Sequence, residues 1–533
     1  MKRILNLIIT IVIGAIIYYF TLPAINLNNM GFYAFIGFLA ILFATLETIN
    51  KDRLKLLSSK KGRMISFDLP KPLLYTLLGC GCVFILITLV NFICSPLFNA
   101  KSYQTRITVN ENGNFTEDIP EVNFNQLPLL DRASSEVLGD RVMGQMSDLV
   151  SQFNVSNQYT QINYNDAIIR VTPLEYADEI KWFTNRKSGI AGYITVDSVT
   201  GESTLIKLDK GMKYSPSALF NENLNRKLRF EYPTTNFGDI SFEIDNDGKP
   251  YFIVPTISYT AVGLKAKVTG VIIFDPITGE SKKYNNSEIP TWVDVATSAS
   301  LIIEQVDDWG TYKNGFWNSI FGQKNVVNTT EGYNYLAMND DVYLYTGITS
   351  VVSDESNLGF ILTNMRTSET TYYSVPGAEE YSAMNSAEGQ VQDMGYNSTF
   401  PLLINLKGKP TYLVSLKDSS GLVKMYGFID VKDYQKVVVT DASKGIEAAK
   451  DNYLKSLKKE AKDDELTIKE IKVDSISSAI INGYTNYYIT SSSKKYKVSI
   501  TLSDKLPFIK VGDTLKVGYY DTDADIIEIE KVY

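Results

Sequence analysis

The chain has 533 residues, a formal net charge of −8 and no histidine. Its three cysteines, Cys80, Cys82 and Cys94, all fall in one apolar segment. Histidine titrates nearest neutrality and is the commonest metal ligand, so Ser-His, Cys-His and His-metal chemistry is excluded within the chain.

Three apolar segments crowd the first hundred residues: 4–20, 32–45 and an uncharged run at 73–98. A spanning helix needs about 20 mostly apolar residues. The first and third meet that alone, and the second needs its flanks Met30 and Leu46, so residues 1–98 are expected to be a three-helix transmembrane anchor. Lys2 and Arg3 precede the first segment, and Lys51, Arg53, Lys55, Lys60, Lys61, Arg63 and Lys71 lie between the second and third. Basic residues stay cytoplasmic, which puts the N-terminus inside and everything after about residue 98 outside the cell. Residues 1–98 carry a net charge of +6 and the remainder −14. An acidic outer portion repels phosphate backbones, so nucleic acid is not an expected partner. The outer portion has no cysteine, which suits a bacterial envelope, and abundant Lys, Asn, Ile and Tyr resemble Gram-positive coding bias.

Residues 99–158 are expected to form a juxtamembrane segment with an amphipathic helix near Asp131–Val150, capped by Ser134 or Ser135. Two β repeats follow, at 159–290 and 346–440. In the first, a strand from Gly192 precedes a hairpin carrying Gly248-Lys249-Pro250. In the second, a strand from Gly359 precedes a hairpin carrying Gly408-Lys409-Pro410. Alternating Val, Ile, Tyr and Phe give half-buried antiparallel strands, and the glycines supply tight turns. Between the repeats, residues 291–345 form a helical connector holding Trp292, Trp309 and Trp317, three of the four tryptophans. A charged helical linker is expected at 441–465. Short strands at 466–533, with a turn at Val511-Gly512-Asp513, predict an OB-like small β-barrel in which Tyr487, Tyr488, Tyr496 and Tyr519 form a platform or a core. The fold class is thus membrane-anchored α+β: three transmembrane helices, a duplicated mainly antiparallel β domain and the terminal barrel.

The turns Asp197-Ser-Val-Thr-Gly201-Glu202 and Asp275-Pro-Ile-Thr-Gly279-Glu280 resemble those of PepSY-type extracytoplasmic β modules, through residues 192–202 and 270–280. The segments LLDRASSEVLGDRVMG, YTQINYNDAIIRVTPLEYADEIKWFTNRKSGIAGYI and MKYSPSALFNENLNRKLRFEYPT are similar to a family of uncharacterised Firmicutes and phage-associated membrane proteins. That resemblance spans roughly 125–440 and implies an envelope location without implying an activity.

Candidate chemistry is sparse. Asp245-x-Asp247-Gly248 contains a fragment of a calcium loop, but Val254 stands where the twelfth-position Glu belongs if the loop starts at Glu243, and a hairpin turn accounts for it. The pairs Asp197/Glu202 and Asp307/Asp308, and Ser215 with Lys213, are the material for carboxylate or Ser-Lys catalysis. No P-loop or G-x-G-x-x-G is present, so no cofactor is expected. The expected function is a non-enzymatic, membrane-anchored envelope protein that binds or scaffolds other envelope proteins or cell-wall polymer, with Trp182, Trp309 and Trp317 as candidate binding residues. The alternatives are a membrane-bound hydrolase using paired carboxylates and a modulator of a transporter or protease.

Overall fold

Helices α1 (Lys2–Thr21), α2 (Met30–Ile49) and α3 (Lys71–Ile93) are each long and apolar enough to cross a membrane. The structure, a computed structural model, describes residues 2–49, 70–351, 353–464, 467–481, 484–520 and 526–533. The basic residues Lys51, Arg53, Lys55, Lys60, Lys61 and Arg63 lie outside the described residues. Ser95 and Pro96 turn the chain out of α3 into α4 (Pro96–Gln104), and the Tyr103 hydroxyl folds back to donate to the Cys94 carbonyl at 2.8 Å.

Beyond α4, one pattern occurs four times: a helix, then an antiparallel meander. The helices are Arg132–Gly144, Leu224–Glu231, Ala299–Thr311 and Glu380–Gly389. The meanders cover 153–212, 236–285, 327–373 and 397–441. In each, the fourth strand lies at one edge, beside the third and then the second, and the first strand lies at the other edge in two collinear segments. At each interruption an N–H returns to the long second strand: Ser156 to Pro173 at 3.0 Å, Gly238 to Pro255 at 2.8 Å, Thr330 to Gly347 at 2.9 Å and Thr399 to Ser415 at 2.9 Å. The third meander takes two additions, Val109–Gly113 in parallel on its last strand and Gly377–Ala378 on its third.

Local chemistry explains the repeated turns. After the third strand of each meander, an Asp or Asn side chain accepts the backbone N–H groups two and three residues on: Asp197 (2.8 and 2.7 Å), Asp275 (2.8 and 3.1 Å), Asn364 (2.9 and 2.9 Å) and Asp430 (2.8 and 3.0 Å). Such Asx turns replace backbone pairing where the chain reverses. The hairpins between first and second strands have positive φ at both central residues in three meanders: Asn165-Asp166, Asn339-Asp340 and Lys407-Gly408. That conformation matches strand twist. The helix Arg132–Gly144 is capped by Asp131, whose Oδ1 accepts the Ser134 N–H at 2.9 Å, so the cap lies upstream of both Ser134 and Ser135, which sit inside the helix.

The first two meanders share a core built on Trp182, Leu174, Ile194, Phe242, Phe252 and Phe274. The helix Ala299–Thr311 covers the third meander through Ile302, Val306 and Trp309. The second meander is also tied to the three apolar helices. The Asn91 side chain of α3 accepts from Val262 N–H at 3.1 Å and donates to its carbonyl at 3.0 Å. Gly263 N–H donates to the Asn28 carbonyl at 2.9 Å, and Asn29 donates to Asn236 Oδ1 at 2.8 Å. Arg226 and Arg229 donate to the carbonyls of Tyr19 and Leu22, both at 3.0 Å, at the end of α1.

The chain divides into two compact units, residues 1–443 and residues 444–533. The second opens with the helix Ile446–Asp464 and continues as one six-stranded sheet, ordered Thr467–Lys472, Thr514–Tyr519, Ile526–Val532, Lys494–Ser499, Tyr484–Ser491, Ser475–Ile481. The two outermost strands do not pair among the described residues, so the sheet is not closed. Val511-Gly512-Asp513 leads into a strand but does not join two, because short 3₁₀ turns at Ile500–Leu502 and Leu506–Phe508 precede it. Tyr496 and Tyr519 meet in its core with ring centroids 5.6 Å apart, while Tyr487 and Tyr488 are half-buried on opposite faces of one strand.

Candidate functional site: a cleft where four meanders meet

The interruptions of the four first strands converge. Gln158, Tyr159 and Thr160 from the first meander, Asp239, Ile240 and Ser241 from the second, Tyr333 and Asn334 from the third, and Thr399 and Phe400 from the fourth line one cleft of about 750 Å³. Cross-bonds hold its walls together. Phe242 N–H donates to Thr160 Oγ1 at 3.3 Å, Gln158 donates to the Ile240 carbonyl, and Asn334 donates to the Phe400 carbonyl at 2.9 Å. Across the far wall, Ser415 donates to the Leu129 carbonyl at 2.7 Å and Lys417 pairs with Asp131.

Arg170 is the cationic group set deepest in this wall. It projects from the buried strand Ala167–Tyr176 and is 3% exposed. Its guanidinium donates to the Leu130 carbonyl at 2.8 Å and to Gln161 Oε1 at 2.7 Å. Among the described residues no carboxylate lies within ion-pair distance of it. Burial brings its pKa down to about 10, with the Tyr335 phenol and the Asp131 charge acting in the opposite direction. Gln161, also buried, has an Nε2 with no hydrogen-bond partner. Arg132 stands nearer the surface, spent on Glu136 at 2.8 Å. A buried charge is normally paired, so Arg170 and Gln161 leave donor capacity beside an aromatic and hydroxyl-lined space. The chain matches no protein-family profile and no curated protein.

Behind Ser241 and Val295 sits a buried acidic pair. Glu243 accepts from Ser241 Oγ at 3.0 Å and from the N–H groups of Asp294 at 2.8 Å and Val295 at 3.1 Å. Asp294 Oδ2 accepts the Asn163 N–H at 2.7 Å, while Asp294 Oδ1 and Asn163 Oδ1 have no partner.

The three tryptophans named from sequence stand in separate places. Trp182 is buried on the short helix Glu179–Asn185, with the Arg186 guanidinium 4.9 Å over its ring. Trp309 is buried against Tyr372, with the Lys313 ammonium 4.1 Å over its ring. Trp317 is 60% exposed and stacks on Phe321 at 5.8 Å. Trp292 is half-buried against Tyr251 at 5.1 Å. The acidic candidates are occupied by structure: Asp197 in its turn, Asp307 accepting from Thr329 at 2.8 Å, and Asp308 pairing with Arg106 and Lys265. Ser215 Oγ bonds Ser217 at 3.1 Å and the Ala218 N–H at 3.0 Å. Asp245 Oδ1 accepts from the N–H groups of Asp247 and Lys249, as a hairpin turn requires. Arg170, Gln161 and Tyr335 were not singled out from sequence, although a lone arginine inside the apolar run AIIRVTPL is the signal that marks a buried charge.

Proposed function

We propose that this is a non-enzymatic, membrane-anchored envelope protein whose cleft binds an anionic group, carboxylate or phosphate, carried by an envelope polymer or protein. The observation that carries it is Arg170, a buried guanidinium on the cleft wall with only neutral acceptors. Arginine recognises carboxylate and phosphate through paired N–H donors, and Gln161 Nε2 offers another. In this reading the positive-inside rule places the N-terminus in the cytoplasm and the β domain outside, in a Gram-positive envelope. The repeated helix-and-meander units are taken as PepSY-like modules of the uncharacterised membrane-protein family that the sequence resembles, and the terminal sheet as an opened OB-like unit.

Purified full-length protein titrated with a phosphate-rich wall polymer and with an uncharged glycan tests this. The anionic polymer is expected to bind, and Arg170→Gln to weaken it roughly tenfold or more, since a charge-assisted hydrogen bond contributes about 1.5–3 kcal/mol. Tyr333→Ala, at the exposed rim, guards against a folding artefact and is expected to weaken binding without lowering the melting temperature. Equal binding of both polymers, or no effect of either variant, would sink the proposal. Cleavage of the glycan would replace it with the hydrolase reading.

A further inference from the structure

Two exposed apolar clusters flank the same end of the spanning bundle. The first gathers Ile180 and Phe183 from the helix Glu179–Asn185, Phe220 and Phe230, all exposed. Phe183 and Phe220 stand 6.4 Å apart, and Phe230 reaches Tyr18 and Tyr19 in the last turns of α1 at 6.0 and 6.2 Å. The Tyr19 hydroxyl also donates to Asn221 Oδ1 at 3.3 Å, beside Phe220. This cluster therefore borders the point where α1 leaves the apolar layer.

The second cluster is Trp317, which caps a single π-helical turn at Asn318–Gly322, with Ile320 and Phe321 inside that turn. Phe321 is 78% exposed and lies nearly parallel to the Trp317 ring, at 11°. This turn follows the helix Ala299–Thr311, whose capping Tyr312 packs on Tyr103 of α4 with ring centroids 6.0 Å apart. Tyr103 is itself bonded to the carbonyl that ends α3. Helices α1 and α3 run in the same direction through three successive crossings, so their C-terminal ends emerge on one face.

Clustered exposed aromatics mark an interaction surface, where scattered ones do not. Trp, Tyr and Phe concentrate at the membrane–water boundary, where a ring is half-solvated. Arg186 and Lys187 follow the first cluster and Lys324 the second, all exposed, and suit anionic headgroups. We propose that both clusters rest in the interfacial layer of the bilayer crossed by α1–α3, so that the first and third meanders lie down on lipid on either side of the tethered second one. The occupant is the lipid surface itself, and the inference does not depend on which side of the membrane is outside.

The test uses full-length protein in lipid nanodiscs. Subtracting the fluorescence of Trp317→Phe from wild type isolates Trp317, and Phe220→Trp supplies a probe for the first cluster. Each is measured with shallow brominated acyl chains and with aqueous iodide. The expected result is loss of most of each signal to brominated lipid and little loss to iodide. Iodide quenching equal to or greater than lipid quenching overturns the proposal, because the patches then face water. Quenching by neither also overturns it, because protein, such as a partner or a second copy, then covers them. Both substitutions exchange exposed aromatics, so folding is preserved.

Discussion

Burial lifts the Glu243 carboxyl to about 7, its hydrogen bonds only partly opposing that, and lifts Asp294 well above the usual carboxylate range, with the Glu243 charge adding to it. The fold thus prefers the protonated form of each. A carboxyl whose folded pKa exceeds its unfolded value, near 4, gives its full stability below that value and loses it as pH rises through the folded one. The melting temperature should therefore fall as pH is raised from about 4 towards about 7. Asp294→Asn keeps an acceptor for the Asn163 N–H and removes the buried ionisable carboxyl beside Glu243. It should stabilise the protein at pH 7.5 by on the order of 1–3 kcal/mol, the cost of unsatisfied buried polar groups, and flatten the pH profile in differential scanning fluorimetry. A variant that melts below wild type at pH 7.5 would refute this. Glu243, Asp294 and Arg170 are ordinary letters in the sequence. Only tertiary packing gathers three meanders around them, and for that reason the polar centre was not legible at residue level, whereas turn residues that act within five positions were.

The four Asx turns have one backbone plan but different freedom to change. Gly201 and Gly279 both have φ +78°, yet an added Cβ would meet Leu130 and Leu138 at 3.3 and 3.4 Å in one case and the Tyr214 ring at 2.4 Å in the other. Left-handed backbone costs a side chain about 1–2 kcal/mol, and forcing an atom into a packed ring costs about 1–3 kcal/mol more. Gly279→Ala should therefore lower the chemical-denaturation midpoint clearly more than Gly201→Ala, and equal losses would contradict that packing. The turns also show why sequence revealed some units and hid others. Gly-Lys-Pro occurs at the hairpins of the second and fourth meanders, and Asn-Asp at those of the first and third. The units alternate, and the third meander replaces the turn glycine by Ser368 at φ +62°. Alternation makes a search by letters find pairs, while strand order and hydrogen bonding display four.

For the whole molecule, hydropathy located the three long apolar helices, because a spanning segment must be apolar along its entire length. The attachment of the second meander to those helices was invisible, since it runs through Asn28, Asn29 and Asn91, polar residues of a kind found in any loop. Replacing Asn91 by Leu removes both bonds to Val262 and leaves its N–H and carbonyl unpaired, at about 1–3 kcal/mol. Hydrogen exchange should then rise at residues 260–266 while the cores of the first and third meanders keep their protection. Uniform exchange changes, or none, would show that the attachment lies elsewhere. The tie also carries a mechanical meaning. A meander pinned to α1, to the α1–α2 loop and to α3 behaves as a lever fixed to the bundle, and one of its loops forms a wall of the cleft. The first meander shares a core with the second, so the cleft is held at the end of the helices by a hydrogen-bonded seam of short range, with no flexible linker between them.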